Sequence, residues 1–230
     1  MKVTDVKTML VENDAPYVGG RYFLFLLIET DEGITGIGER IAGSSYSNHL
    51  EDIKSQINLI EEFAGQFIIG QDPLNIELLW DRMYASRHDL RHPSLYATPV
   101  ISGIDIALWD IKGKRLGVPI YDLMGGKTRD KVRCYMHVGG GTKDELVASA
   151  KAAVAKGFTA VRFTPFAPDY YLHKSYSAWA DEAVDRVGAV KEAVGGDADI
   201  CVEIHRQMSP AESIWLGRRL EQFNPFFYED

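Results

Sequence analysis

Beyond Lys131 the chain alternates strand-forming and helix-forming stretches at a regular spacing, and this alternation constrains the fold more than any other feature. Val132 to Val138 reads as a strand, Lys143 to Lys156 as a helix ending at Gly157, and Phe158 to Phe163 as a second strand. A long loop leads to a helix over Trp179 to Val194 and a strand over Ile200 to His205. Ser209-Pro210 then opens a helix over Ala211 to Gln222, and Pro225 to Tyr228 reads as a fourth strand. Strands separated by helices in this way form right-handed βαβ units and a parallel sheet. A closed eightfold barrel takes ~250 residues, or ~30 for each strand–helix unit. Lys131 to Asp230 spans 100 residues, room for three units and one further strand. Four parallel strands cannot close a barrel and leave the last strand with an open edge. The expectation is a chain that stops before its barrel is complete.

The preceding stretch has a different rhythm. Lys2 to Val11 alternates imperfectly, Tyr22 to Thr30 is rich in β-formers, and Ile34 to Glu39 follows the turn signal Asp31-Glu32-Gly33, so an antiparallel sheet is expected. The glycines of Gly33 to Glu39 lack the βαβ setting and the Lys-Ser/Thr ending of a phosphate loop, and read as hairpin glycines. Helices follow. Leu50, Ile53, Ile57, Ile60 and Phe63 mark an apolar face over Ser47 to Phe67. Asp72-Pro73 signals the start of a helix over Leu74 to Tyr84. Pro99 to Leu116 is a third helix, ended by Gly117. With a boundary at Gly125-Gly126, the fold class is an α+β domain (residues 1–126), which the resemblance given below makes a capping domain, followed by an incomplete (β/α) barrel of about three βα units plus a fourth strand (residues 127–230).

Bulk properties remove several function classes. At 46% hydrophobic and 25% charged, the chain has the composition of a soluble globular protein. Its net charge of -8, with cations scattered among the acids, argues against nucleic acid as a partner. The longest strongly apolar run, Tyr22 to Ile28, is far shorter than a membrane span, and the N-terminus lacks signal-peptide features. Cys134 and Cys201 both lie in apolar runs that read as buried strands, which fits reduced thiols and a cytoplasmic location.

In parallel α/β folds, chemistry collects at the carboxyl ends of the strands. Here the second strand ends Arg162-Phe163-Thr164, the third Glu203-Ile204-His205, and the fourth Glu229-Asp230. Two carboxylates on neighbouring strand ends suit magnesium, which takes oxygen ligands from one or two carboxylates, waters and substrate. Glu203 and His205 share strand parity. Either both face the interior, or Val202 and Ile204 do and the polar pair points among the helices. His137, at the end of the first strand, is a candidate pocket residue or a core histidine. His88, with Asp89, Arg91 and His92, is a candidate substrate contact or part of a solvated loop.

Residues 101 to 135, ISGIDIALWDIKGKRLGVPIYDLMGGKTRDKVRCY, resemble the junction between capping domain and barrel in the enolase superfamily, in its mandelate racemase-like branch. The hairpin GITGIGE and the fourth strand FFYED match the same pattern. By position, the resemblance makes Glu203 the first metal ligand and Glu229 the second, 26 residues apart (203 to 229), with the third ligand beyond Asp230. The family usually carries Asp where this chain has Glu203. Mg2+ is the implied cofactor. The implied chemistry is removal of the proton next to a carboxylate, giving an enediolate.

The branch also distinguishes reactions. Racemases and lactonizing enzymes usually end the second strand Lys-x-Lys, and here Thr164 stands at the second lysine. Glu203-x-His205 is instead similar to the pattern of sugar-acid dehydratases of the mannonate and galactonate kind. There the histidine is the general acid on the departing hydroxyl, a task suited to an imidazole with an ordinary pKa of ~6.5. Arg162, followed by Tyr170, Tyr171 and Tyr176, resembles the Arg–Tyr pair of mannonate dehydratases; the resemblance leaves open which of the three tyrosines is the partner, and Tyr176 is the candidate catalytic residue among them. In a galactonate-type enzyme the base is a histidine beyond Asp230. Arg21 and Tyr46 fall on the two capping loops that close over substrate in this superfamily.

The function implied is Mg2+-dependent dehydration of a sugar acid such as mannonate, gluconate or galactonate to the 2-keto-3-deoxy acid, by a homo-oligomer. The alternatives are a racemase, epimerase or cycloisomerase on the same scaffold, and an inactive fragment or assembly partner. The 230 residues alone are expected to be inactive, lacking a third ligand.

Overall fold

The β-branched and aromatic run at residues 22–30 forms the centre of an antiparallel sheet, because alternate side chains can all be buried on one face. In the computed structural model, which describes residues 1–14, 20–40, 50–87, 96–167 and 175–229, this strand is β2 (Tyr22–Thr30), between β1 (Val3–Glu12) and β3 (Thr35–Arg40). The chain divides into two compact units, Met1–Thr128 and Arg129–Asp230.

In the first unit Tyr22, Leu24, Leu26 and Ile28 of β2 are buried in one apolar core with the helices α1 (Leu50–Phe63), α2 (Ile76–Ala85) and α3 (Thr98–Leu116). Burying a side chain of this size stabilises by roughly 1.5–3 kcal/mol. Gly33, at φ +76°, makes the β2–β3 turn. Gly36 and Gly38 do something else: a Cβ on either would lie 2.2 Å from the Ala107 carbonyl oxygen or 2.0 Å from that of Gly103. They let α3 press directly on β3, so two of the expected hairpin glycines are packing glycines. Asp110 of α3 accepts the outward N–H of Ile37 at 2.8 Å, capping a donor on the edge strand.

Two helix boundaries differ from expectation. The helix α2 begins at Ile76, not Leu74, because the Asp72 carboxylate accepts the Leu74 N–H (3.0 Å) and closes a local turn first. The helix α1 passes into a π-helical turn at Ala64–Ile68, while residues 47–49 lie outside the described residues. A short helix α4 (Ile120–Leu123) follows α3, whose end is set by Gly117 at φ +69°.

The second unit is a parallel sheet in the order β4 (Met136–His137), β5 (Ala160–Phe163), β6 (Asp199–Glu203) and β7 (Phe227–Glu229). Its connections are α5 (Lys143–Ala155), α6 (Tyr176–Val194) and α7 (Pro210–Leu220). Reciprocal capping boxes, Thr142 with Glu145 and Ser209 with Glu212, fix the starts of α5 and α7. Val161, Phe163, Ile200, Val202 and Ile204 form one core with Leu146, Ala150, Ala183, Val187 and Leu216 of the helices. Val202 and Ile204 therefore face the helices, and Glu203 lies on the opposite face.

The first strand is shorter than the expected Val132 to Val138. Only Met136 and His137 pair with β5, and Cys134 is exposed, contrary to the expectation of two buried thiols. Upstream of Met136 the chain is tied to β5 by a side chain instead: Arg133 donates to the Thr159 hydroxyl at 2.9 Å and to its carbonyl. Cys201 is buried. No helix among the described residues is long and apolar enough to cross a membrane.

Candidate functional site

Strand parity and register bring the polar residues of the second unit together. In the parallel ladder His137 is level with Arg162, Arg162 with Cys201, and Glu203 with Glu229. All five side chains therefore share the face turned away from the helix-packed core. His137, Arg162 and Cys201 form one rung, and Glu203 with Glu229 the next rung of that face toward the carboxyl ends.

Arg162 is the hub of this face. Its Nη2 pairs with Glu203 Oε1, its Nε donates to Glu229 Oε2 at 2.9 Å, and its Nη1 donates to His137 Nε2 at 2.8 Å. A guanidinium has only donors, so His137 accepts through Nε2 and carries any single proton on Nδ1. Burial opposes the Arg162 charge, but the hydrogen bond to Glu229 and the charges of both glutamates outweigh it, and the guanidinium is held more firmly protonated than usual. The Tyr135 ring lies 5.8 Å from the guanidinium carbon, a cation–π contact.

Glu203 is only 6% exposed, and a buried carboxylate needs compensation. Its Oε1 meets both Arg162 Nη2 and His205 Nδ1, the latter at 2.8 Å. The histidine reaches back because the strand ends at Glu203, and His205 and Arg206 both adopt left-handed backbone, φ 49° and 55°. Two successive non-glycine residues there are strained, a cost of order 1–3 kcal/mol each that clusters at functional sites. The expected strand over Ile200 to His205 is cut short by this turn. His137 is pushed below the ordinary imidazole range by partial burial of its ring and by the adjacent Arg162 charge, against the opposite pull of Glu203 and Glu229. The residue as a whole stays accessible to solvent.

The structure thus brings His137, Arg162, Glu203, His205 and Glu229 into one connected group. It does not bring Tyr176 there. Tyr176 opens α6 with its ring packed against Trp179 and Trp215, and its hydroxyl donates to the Glu212 carbonyl at 2.9 Å. Tyr176 as a catalytic candidate beside Arg162 is therefore corrected: the tyrosine is helical and held by aromatic packing. Tyr135 is the aromatic partner that sequence reasoning missed, and its shared parity with His137 was the available signal. Arg21, in the first unit, donates from Nε and Nη2 to Glu12 at 3.0 and 2.8 Å. Tyr46, His88, Tyr170 and Tyr171 lie outside the described residues.

As donors for a divalent metal, Glu203 and Glu229 fit a hard cation in kind: both are carboxylates, in register on adjacent strands. Among the described residues no group of three acidic, histidine or cysteine side chains gathers as a fuller set. One oxygen of each glutamate is engaged by Arg162.

Comparison with known proteins places both units. Residues 4–125 match the family model for the mandelate racemase / muconate lactonizing enzyme N-terminal domain, and residues 145–230 match that of the enolase C-terminal domain-like family. A D-galactonate dehydratase of Ralstonia pickettii (strain 12J) is 36% identical over 208 residues, covering 90% of this chain and 51% of that protein. A D-galactonate dehydratase of Xanthomonas campestris pv. campestris (strain B100) is 35% identical over 230 residues, covering all of this chain and 55% of the relative. Among solved structures, a mandelate racemase/muconate lactonizing enzyme from Sulfitobacter sp. superposes with a TM-score of 0.83 at 30% identity, over 98% of this chain and 58% of that one. A mandelate racemase/muconate lactonizing enzyme-like protein from Roseovarius sp. TM1035 gives 0.84 at 32% identity, over 99% and 59%. The chain spans about half the length of the curated relatives it matches.

Proposed function

The chain belongs to the mandelate racemase/muconate lactonizing enzyme family of the enolase superfamily, and from that premise we propose that its protein is a Mg2+-dependent dehydratase of sugar acids, with a galactonate-type aldonate as the first substrate to test. The observation that carries this reading is the in-register pair Glu203 and Glu229 with His205 hydrogen-bonded to Glu203. The two D-galactonate dehydratases that match most of the chain support the substrate class.

In this reading Glu203 and Glu229 hold the metal. Bound there, Mg2+ supplies positive charge where the substrate carboxylate becomes more negative as its neighbouring proton leaves. His205 gives a proton to the departing hydroxyl, which leaves as water. Glu203 accepts from Nδ1 of that ring, so the proton given up comes from Nε2, and the carboxylate sets the ring's orientation. Thr164, where a lysine base would stand in the racemase pattern, cannot accept a proton at neutral pH, which weighs against racemisation.

The test is a screen of the full-length protein with Mg2+ against mannonate, gluconate and galactonate, reading formation of the 2-keto-3-deoxy acid. His205→Asn is expected to lower dehydration by ~100-fold or more while exchange of the α-proton with solvent persists. Dehydration undiminished in that variant would remove His205 from the role of acid. Racemised or epimerised product without water loss would overturn the dehydratase reading as a whole.

A further inference from the structure

We propose that Arg162 is the built-in counter-cation of the two metal carboxylates, and that its guanidinium and a divalent metal ion compete for the same oxygens. This rests on the reading of Glu203 and Glu229 as ligands. The geometry is specific. One guanidinium spans both carboxylates, meeting Oε1 of Glu203 and Oε2 of Glu229 through different nitrogens, while its third nitrogen holds His137. The Arg162 side chain is 11% exposed and that of Glu203 8%, so water screens the contact poorly. Two carboxylates this close repel each other, and a cation between them relieves the repulsion.

Arginine performs this task in a way lysine cannot. Its charge is not titrated away in proteins, and its planar fork reaches two acceptors at once, whereas an ammonium is a single point charge. A metal ion that takes Oε1 of Glu203 or Oε2 of Glu229 must therefore break a charge-assisted hydrogen bond of Arg162. The released guanidinium has a resting place on its own face of the sheet, since the Tyr135 ring and the His137 ring already contact it. Arg162 is on this account a positioning residue. It keeps the two ligands together before metal arrives, and it sets the metal concentration at which the site fills.

The test uses Mn2+ as a spectroscopic stand-in for Mg2+, titrated into the full-length protein with free Mn2+ read by electron paramagnetic resonance. Arg162→Gln is expected to bind Mn2+ at least tenfold more tightly than the wild type. Arg162→Lys separates competition from simple charge repulsion, because it keeps the positive charge and loses the fork. Competition for the oxygens requires that this conservative variant, too, bind Mn2+ more tightly than the wild type. Wild-type affinity in Arg162→Lys, or no gain in Arg162→Gln, would overturn the proposal. Glu203→Gln and Glu229→Gln isolate the underlying assignment: if either carboxylate is a ligand its variant loses Mn2+ affinity. Undiminished binding in both would remove the metal-ligand reading and this inference together.

Discussion

At the scale of single residues, His137 offers a titration with a definite sign. Its imidazole is held below the ordinary range by partial burial and by Arg162. Between that lowered value and ~6.5, where an unperturbed imidazole titrates, the unfolded chain binds more protons than the folded one. The contribution of His137 to stability is therefore complete above ~6.5 and is lost as the pH falls through the folded value. Urea unfolding of the full-length protein at a series of pH values is expected to show this slope, and His137→Gln to flatten it. An unchanged slope in the variant would assign the effect to other groups. Part of the residue-level site was legible because strand ends are properties of the sequence: Glu203, Glu229, Arg162 and His137 could be set at the ends of neighbouring strands, while parity alone left open which face of the sheet Glu203 takes. Tyr176 was not legible. A tyrosine following a polar loop gives no sign of whether a helix already claims it, and here Trp179 and Trp215 do. The reach of His205 back to Glu203 was equally hidden, since it depends on left-handed backbone at residues that seldom adopt it.

At the scale of elements, the contact between β3 and α3 is the tightest constraint in the first unit. Gly38 faces the Gly103 carbonyl at a distance that no Cβ can occupy, so Gly38→Ala must drive the helix and the sheet apart. A loss of ~1–3 kcal/mol is expected, the usual range for an overpacked core, measured as a shift in the urea midpoint of the full-length protein. Gly33→Asn at the hairpin turn is the control, because φ +76° with open space around it tolerates asparagine far better than a crowded position does. The order and type of elements followed from hydrophobic periodicity, and the helix over residues 98–116 was bounded nearly as expected because Gly117 stops it. The purpose of the glycines was not visible. A glycine in a strand reads the same whether it turns the chain or admits a helix, and only the packing partner tells them apart. The first strand of the parallel sheet was overestimated for a related reason: β propensity at Val132 to Tyr135 says nothing about whether a partner strand lies alongside.

At the scale of the whole molecule, the helices of the second unit cover one face of its sheet, and the other face carries the polar group together with apolar side chains. Parallel sheets are ordinarily covered on both faces. Here Tyr135 is 46% exposed, and Phe227, whose ring meets it edge-on, is only partly buried. The 230-residue chain expressed by itself is expected to self-associate as its concentration rises, read by light scattering coupled to size exclusion. A sharp 25.7 kDa species across the concentration range would contradict this. The division of the sheet into a helix-packed face and a polar face also has a practical side. Reagents attached to the outer helices stay on the far side of the sheet from the carboxylates. A cysteine placed at exposed Lys151 of α5 is accordingly a suitable handle for a fluorophore or a surface, and Cys201, being buried, will not compete for the label. Cys134 will, and replacing it with serine is the first step in preparing such a conjugate.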